Sequence, residues 1–164
     1  MGTVARAARS EAEQYKAGRD IPLGAYAGLM GAYTVTVGAM AVTLHRRGAP
    51  ERLAWGDLVL LALAAQKLSR LISKDAVTSP LRAPFTINVG TDGPAEMAEE
   101  VRGNGARKAA GEMVSCPFCI GQWVSTIGVF GMAVAPRWTR LAASVFAISG
   151  GADILQFLYA RLQQ

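Results

Sequence analysis

From Ile21 to Leu44 the chain runs for 24 residues without an aspartate, glutamate, lysine, arginine or histidine. Coiled as a helix at about 1.5 Å per residue, that run measures roughly 36 Å, enough to cross a hydrocarbon core of about 30 Å with some tilt. Ala39-Met40-Ala41 resembles a signal-peptide cleavage site. The run is far longer than the apolar stretch of about 7–15 residues in such peptides, so an uncleaved transmembrane helix is the reading.

Three more apolar blocks follow. The second span, about Trp55 to Ile72, is interrupted by Asp57, Gln66, Lys67 and Arg70, but Leu58 to Ala65 is wholly apolar. A third runs from about Cys119 to Ala135 and is closed by Pro136-Arg137; a fourth runs from about Trp138 to Tyr159. Trp55, Trp123, Trp138 and Tyr159 fall near span ends, where amphipathic rings favour the membrane interface. Only 18% of the 164 residues are charged, against about a quarter in soluble domains. The predicted fold class is therefore all-α: a polytopic membrane bundle of four transmembrane helices with a long cytoplasmic loop. Residues 1–20 form a polar N-terminal segment, 21–44 the first span, and 53–162 a core with helices at about 55–72, 119–135 and 138–160. In the first span Gly24 and Gly28 make a G-x-x-x-G pair, the spacing of a close helix-packing seam.

The loop, 73–118, is broken by Pro80, Pro84, Gly90, Gly93, Pro94, Gly103 and Gly105. Two short helices fit within it, Pro94 to Val101 and Ala106 to Ser115. Basic residues set the orientation. With the N-terminus inside, twelve lysines and arginines are cytoplasmic, and Arg46, Arg47, Arg52, Arg137 and Arg140 lie outside. That asymmetry predicts a multi-pass protein of the cytoplasmic membrane with both termini cytoplasmic. The net charge of +5 does not indicate nucleic acid, because the basic residues flank apolar blocks instead of gathering on one face. The expected partners are the phospholipid bilayer and a second copy or another membrane protein.

A charge near mid-bilayer costs about 2.5–3.5 kcal/mol on insertion scales and demands a partner. Lys67 and Asp153 come to similar depths in two spans that run in the same direction. Arg70 is one turn from Lys67 on the same helix face, and Gln122 and Gln156 enter near that level. These five residues, Lys67, Arg70, Gln122, Asp153 and Gln156, are expected to form a polar layer inside the bundle. It serves either to fix helix register or to carry protons or solutes. Asp57, at the start of its span, suits the positive end of the helix dipole.

Cys116-Pro117-Phe118-Cys119 opens the third span. Three readings stand: a redox pair whose thiolate is favoured at a helix N-terminus, a zinc site, or cysteines that pack a helix start. Tetrahedral zinc needs four ligands, so two copies would have to pool their thiolates; His45 lies on the other side. No other cofactor is indicated. Arg82, between Pro80 and Pro84, is placed to meet a lipid phosphate. There is no phosphate-binding glycine loop, no Ser/His/Asp set and no H-E-x-x-H, which leans the expectation away from an enzyme without deciding it.

Several of these motifs occur together: Trp55-Gly56-Asp57, Lys67-Leu68-Ser69-Arg70-Leu71-Ile72, Ser79-Pro80-Leu81-Arg82-Ala83-Pro84-Phe85, Cys116-Pro117-Phe118-Cys119-Ile120-Gly121-Gln122-Trp123 and a late Asp153. As a set they resemble the bacterial family called domain of unknown function 1360, over roughly Leu53 to Leu162. The resemblance implies a small membrane protein of the kind found in Gram-positive bacteria. It further implies a three-span core preceded here by an extra span, and in some members a sporulation label. An accessory, interaction or assembly role follows as the expectation, with the loop as recognition surface. The alternatives are thiol-redox or intersubunit metal chemistry at the cysteines, and a small transporter or channel subunit built on Lys67 and Asp153.

Overall fold

The computed structural model describes residues 2–48, 52–93 and 96–163. The chain is mostly helical. A polar helix, α1 (Gly2–Lys16), precedes α2 (Leu23–Arg47), α3 (Trp55–Ser73) and the short α4 (Ser79–Arg82). Strands β1 (Thr86–Gly93) and β2 (Glu96–Val101) follow, then α5 (Gly105–Ser115), α6 (Pro117–Val134) and α7 (Pro136–Leu162). Of these, α2, α6 and α7 are long and apolar enough to cross a membrane.

Local chemistry sets the helix ends. Gly48, at φ 64° and ψ 58°, closes α2 by donating its N–H to the Leu44 carbonyl; only glycine adopts this left-handed cap without a Cβ penalty. Arg46 and Arg47 thereby join the last turn of α2, where cations suit the helix dipole. Helix α2 therefore runs three residues past the expected end of the first span at Leu44. Both α6 and α7 begin with proline, which has no N–H to leave unpaired in a first turn.

The central helix is α3. On one side Gly121 and Gly128 of α6 lie against Ser69 and Leu61, so α6 runs antiparallel to α3. On the other side Gly150 of α7 lies so close that an added Cβ would stand 3.2 Å from Lys67 Cβ. Small residues allow these backbones to approach. A Cβ added at Gly24 or Gly28, by contrast, would meet no neighbouring element within 4 Å; α2 reaches the rest of the chain through its tyrosines instead. The buried core is small: Leu61, Ala64, Met132 and Ala143. Val35, Ile127, Val145, Ile148 and Leu155 remain exposed along the long helices, far more apolar surface than a water-soluble chain leaves open.

The all-α expectation is corrected by the two-stranded antiparallel sheet. Thr86 pairs with Val101, Ile87 with Glu100 and Asn88 with Glu99, with irregularities on either side of Gly90 and Thr91. The segment expected as a helix from Pro94 to Val101 is strand β2 from Glu96 onward; Pro94 lies outside the described residues. A helix of so few residues recovers little after its costly first turn. The extended form gains a ladder with Thr86-Ile87-Asn88-Val89, which is rich in β-branched side chains. It also sends Glu96 and Glu99 to arginine partners.

Candidate functional site

The loop between α3 and α6 is a folded module, and Arg82 is its centre. The side chain is fully buried, with all five guanidinium N–H groups engaged. Nε and Nη2 each donate to a Glu99 carboxylate oxygen at 2.9 Å. Nη1 donates to the Ile72 carbonyl at 2.7 Å and to Thr78 Oγ1 at 2.8 Å, and Nη2 also donates to the Asp75 carbonyl at 3.0 Å. Ile72 lies in the last turn of α3, whose carbonyls have no partner within the helix. Arg82 therefore caps α3 and holds β2 with the same group. The fork of a guanidinium matches a carboxylate in this two-bond manner, a geometry lysine lacks.

Glu99 is 6% exposed by its side chain. Burial alone would raise its pKa, but the hydrogen bonds from Arg82 and from Thr86 outweigh it and hold the carboxyl below its usual range. The expectation of a lipid phosphate on Arg82 is thereby corrected. With every N–H satisfied and no surface exposed, Arg82 has nothing to offer a headgroup.

Four of the five polar residues singled out in the spans line one cavity. Lys67, Arg70, Asp153 and Gln156 surround a space of about 590 Å³, with Gln66, Asp75 and Glu96. Lys67 Nζ lies 2.8 Å from Asp153 Oδ2, and Arg70 pairs with Glu96 of the module. Both cations therefore hold carboxylate partners. Gln122 is not among the residues that line this cavity, which corrects the fifth assignment; it shares only the neighbouring groove with Gln66 and Arg70. Gly121, Ser125 and Gly128 occupy the face of α6 toward α3, and Gln122 turns to α2. There its Nε2 donates to Tyr33 Oη at 2.7 Å, and Tyr33 also bonds Thr126 at 2.8 Å and packs edge-on against Trp123.

At the other end of α3, Asp57 accepts two hydrogen bonds from Arg140, each 2.7 Å. Asp57 remains in the first turn of α3 as expected for the dipole, but its partner is the arginine of α7. Two ion pairs joining Asp57 to Arg140 and Lys67 to Asp153 require α3 and α7 to run parallel. The start of α2 is tied to the module by Lys108 with Asp20, 3.1 Å apart, and by Tyr26 with Glu112.

Reasoning from sequence missed Glu99, Glu96, Tyr33 and Arg140. One signal was available for Glu99: an arginine in a Pro-bounded, apolar setting needs a carboxylate nearby. The others depend on which helix faces meet. Cys116 and Cys119 are free thiols. Cys116 is the N-cap of α6 and its Sγ accepts the Cys119 N–H at 3.3 Å. Among the described residues no three His, Cys, Asp or Glu side chains gather as a metal site requires.

No solved structure matches the chain. It is similar to the sporulation protein YjcA of Bacillus subtilis (strain 168), 33% identical over 110 residues, covering 65% of this chain and 93% of that protein. A family model, described as a protein of unknown function (DUF1360), matches residues 60–159. The match takes in most of α3, the whole module, α6 and most of α7, so the chain belongs to the domain of unknown function 1360 family.

Proposed function

We propose that this protein is a four-span component of the cytoplasmic membrane whose 74–115 module serves as a recognition platform in the assembly of a membrane complex. In this reading α3 is the fourth span. Its charges are tolerated because Asp57 and Lys67 meet Arg140 and Asp153 from α7. Both termini are cytoplasmic. Supporting this, α2 and α6 start, and α3 and α7 end, beside the module. Arg46, Arg47, Arg52, Arg137 and Arg140, five of the seventeen basic residues, fall toward the far end. The relative's name suggests spore formation as the context.

The observation that carries the proposal is the buried Arg82–Glu99 pair. A loop that only joins two spans has no need of it; taking two charges from water costs several kcal/mol each before their attraction offsets it. What such a pair supplies is one fixed orientation of the β1–β2 ribbon, whose Ile87 and Val89 stay exposed. The paired cations around the 590 Å³ cavity favour register-fixing over transport.

The test is site-specific photo-cross-linking in living cells. A benzophenone side chain at Ile87 is expected to give a discrete protein adduct that disappears with Arg82→Ala, while the same group at Val35 labels lipid. Lipid adducts alone from both positions would refute the platform.

A further inference from the structure

Cys116 and Cys119 are not used by the platform. Their sulfurs stand at the first turn of α6, on the side of the bundle where the module sits. Cys116 is the N-cap: its backbone is extended, at φ −100° and ψ 111°, and its Sγ takes the N–H of Cys119. Proline at 117 begins the helix between them. One turn of helix brings the two side chains within the separation that a disulfide spans, a Cα distance of about 4.4–6.8 Å. Cys119 is exposed, Cys116 is half-buried, and Phe118 between them is 88% exposed, so the pair can be approached from the Phe118 side. Beside it runs a groove of about 510 Å³ whose lining includes Ser69, Arg70, Pro117, Phe118, Gly121 and Gln122.

We propose that Cys116 and Cys119 form a thiol–disulfide exchange centre in which Cys116 attacks and Cys119 resolves, acting on a disulfide presented at the module face of the membrane. The two thiols have different surroundings, as an attacking and a resolving group require. Burial disfavours the Cys116 thiolate. Hydrogen bonds from Cys119 and from the Phe118 and Cys119 backbone, with the charge of Lys74, more than offset this and bring its thiol below the ordinary cysteine value. A helix N-terminus acts in the same direction.

In the first exchange the Cys116 thiolate attacks one sulfur of a disulfide R–S–S–R′. The S–S bond breaks, a Cys116–S–S–R bond forms, and R′S⁻ leaves and takes up the proton that Cys116 gave to solvent. Cys119 then loses its proton, and its thiolate attacks Cys116 Sγ. RS⁻ departs and is protonated. The chain is oxidised by two electrons to the Cys116–Cys119 disulfide, and R–S–S–R′ is reduced to two thiols. A second dithiol returns the site by the reverse exchange.

The test uses the full chain in lipid nanodiscs with glutathione disulfide as probe, read by intact mass. Cys119→Ser is expected to accumulate one glutathione on Cys116, and Cys116→Ser to react at least about tenfold more slowly, because the attacking N-cap thiol has been removed. The unaltered chain should pass to an intramolecular disulfide, lighter by two hydrogens, without a lasting adduct. A disulfide-bonded peptide tested in parallel should exchange faster than glutathione if the groove receives polypeptide; equal rates assign the site to small disulfides. Equal reactivity of the two variants, with circular dichroism showing both folded, would overturn the proposal. So would failure to form the internal disulfide at any glutathione ratio, or one zinc per two chains held by these thiols.

Discussion

Arg82 and Glu99 face each other through two parallel 2.9 Å hydrogen bonds, and the arginine simultaneously closes the end of α3 through Ile72. Three segments distant in sequence, the last turn of α3, α4 and β2, thus share one side chain. Removing either partner leaves the other charge buried and alone. Arg82→Ala and Glu99→Ala are each expected to destabilise the module by about 3–5 kcal/mol, whereas an apolar pair of similar volume at both positions recovers most of that loss. Limited proteolysis between Asp75 and Ser115 measures it, because an unlocked module is cleaved while the helices stay intact.

The same pair gives the module a pH response. Glu99 titrates lower folded than unfolded, so its contribution is present above the unfolded carboxyl value, near about 4.3, and is lost as pH falls through the lower folded value. The module should stay closed down to the mildly acidic range and open only below it. Proteolytic susceptibility followed against pH checks this, and Glu99→Gln should remove the acid transition.

Lys67 and Asp153 join α3 to α7 at 2.8 Å, with 17% and 41% of their side chains exposed. Polar contacts between membrane helices couple modestly, because the separated helices also find other polar partners. A coupling of about 1 kcal/mol is expected from a double-mutant cycle with Lys67→Met and Asp153→Asn, measured by unfolding in mixed micelles. Additive effects of the two changes would show that the residues do not act on one another.

Neighbouring glycines of α7 provide a contrast. A Cβ at Gly150 meets Lys67 Cβ at 3.2 Å and the Leu63 carbonyl at 3.8 Å, whereas one at Gly151 meets nothing within 4 Å. Gly150→Leu should cost about 1–3 kcal/mol by forcing α3 and α7 apart. Gly151→Ala should be neutral or stabilise by up to about 1 kcal/mol through helix propensity. Unfolding of the two variants in the same micelles reports the difference.

Much of this architecture was legible in the chain because hydrocarbon and helix geometry act on single segments. The absence of charge from Ile21 to Leu44 marks a helix without knowledge of any neighbour, whereas Pro136, read as the close of the third span, is the first residue of α7. The common depth of Lys67 and Asp153 follows from counting along two helices that run the same way. Gln122 escaped such counting because depth does not specify azimuth: the glycines of α6 claim the face toward α3, and Gln122 is turned to Tyr33. Arg82 and β2 were misread for a related reason. Their conformations answer to partners 17 residues apart in sequence, and a local window containing three glutamates looks helical until one of them is needed as a counter-ion.

The most direct measurement of the central claim, that the loop is a folded platform locked to α3, is amide hydrogen exchange of the full chain in lipid bilayers. Amides of β2 and α5 are expected to exchange at least about a thousandfold more slowly than an unstructured chain, and to lose that protection in Arg82→Ala while α6 and α7 keep theirs. Exchange of Glu96 to Ser115 at the unstructured rate in the unaltered protein would contradict the account.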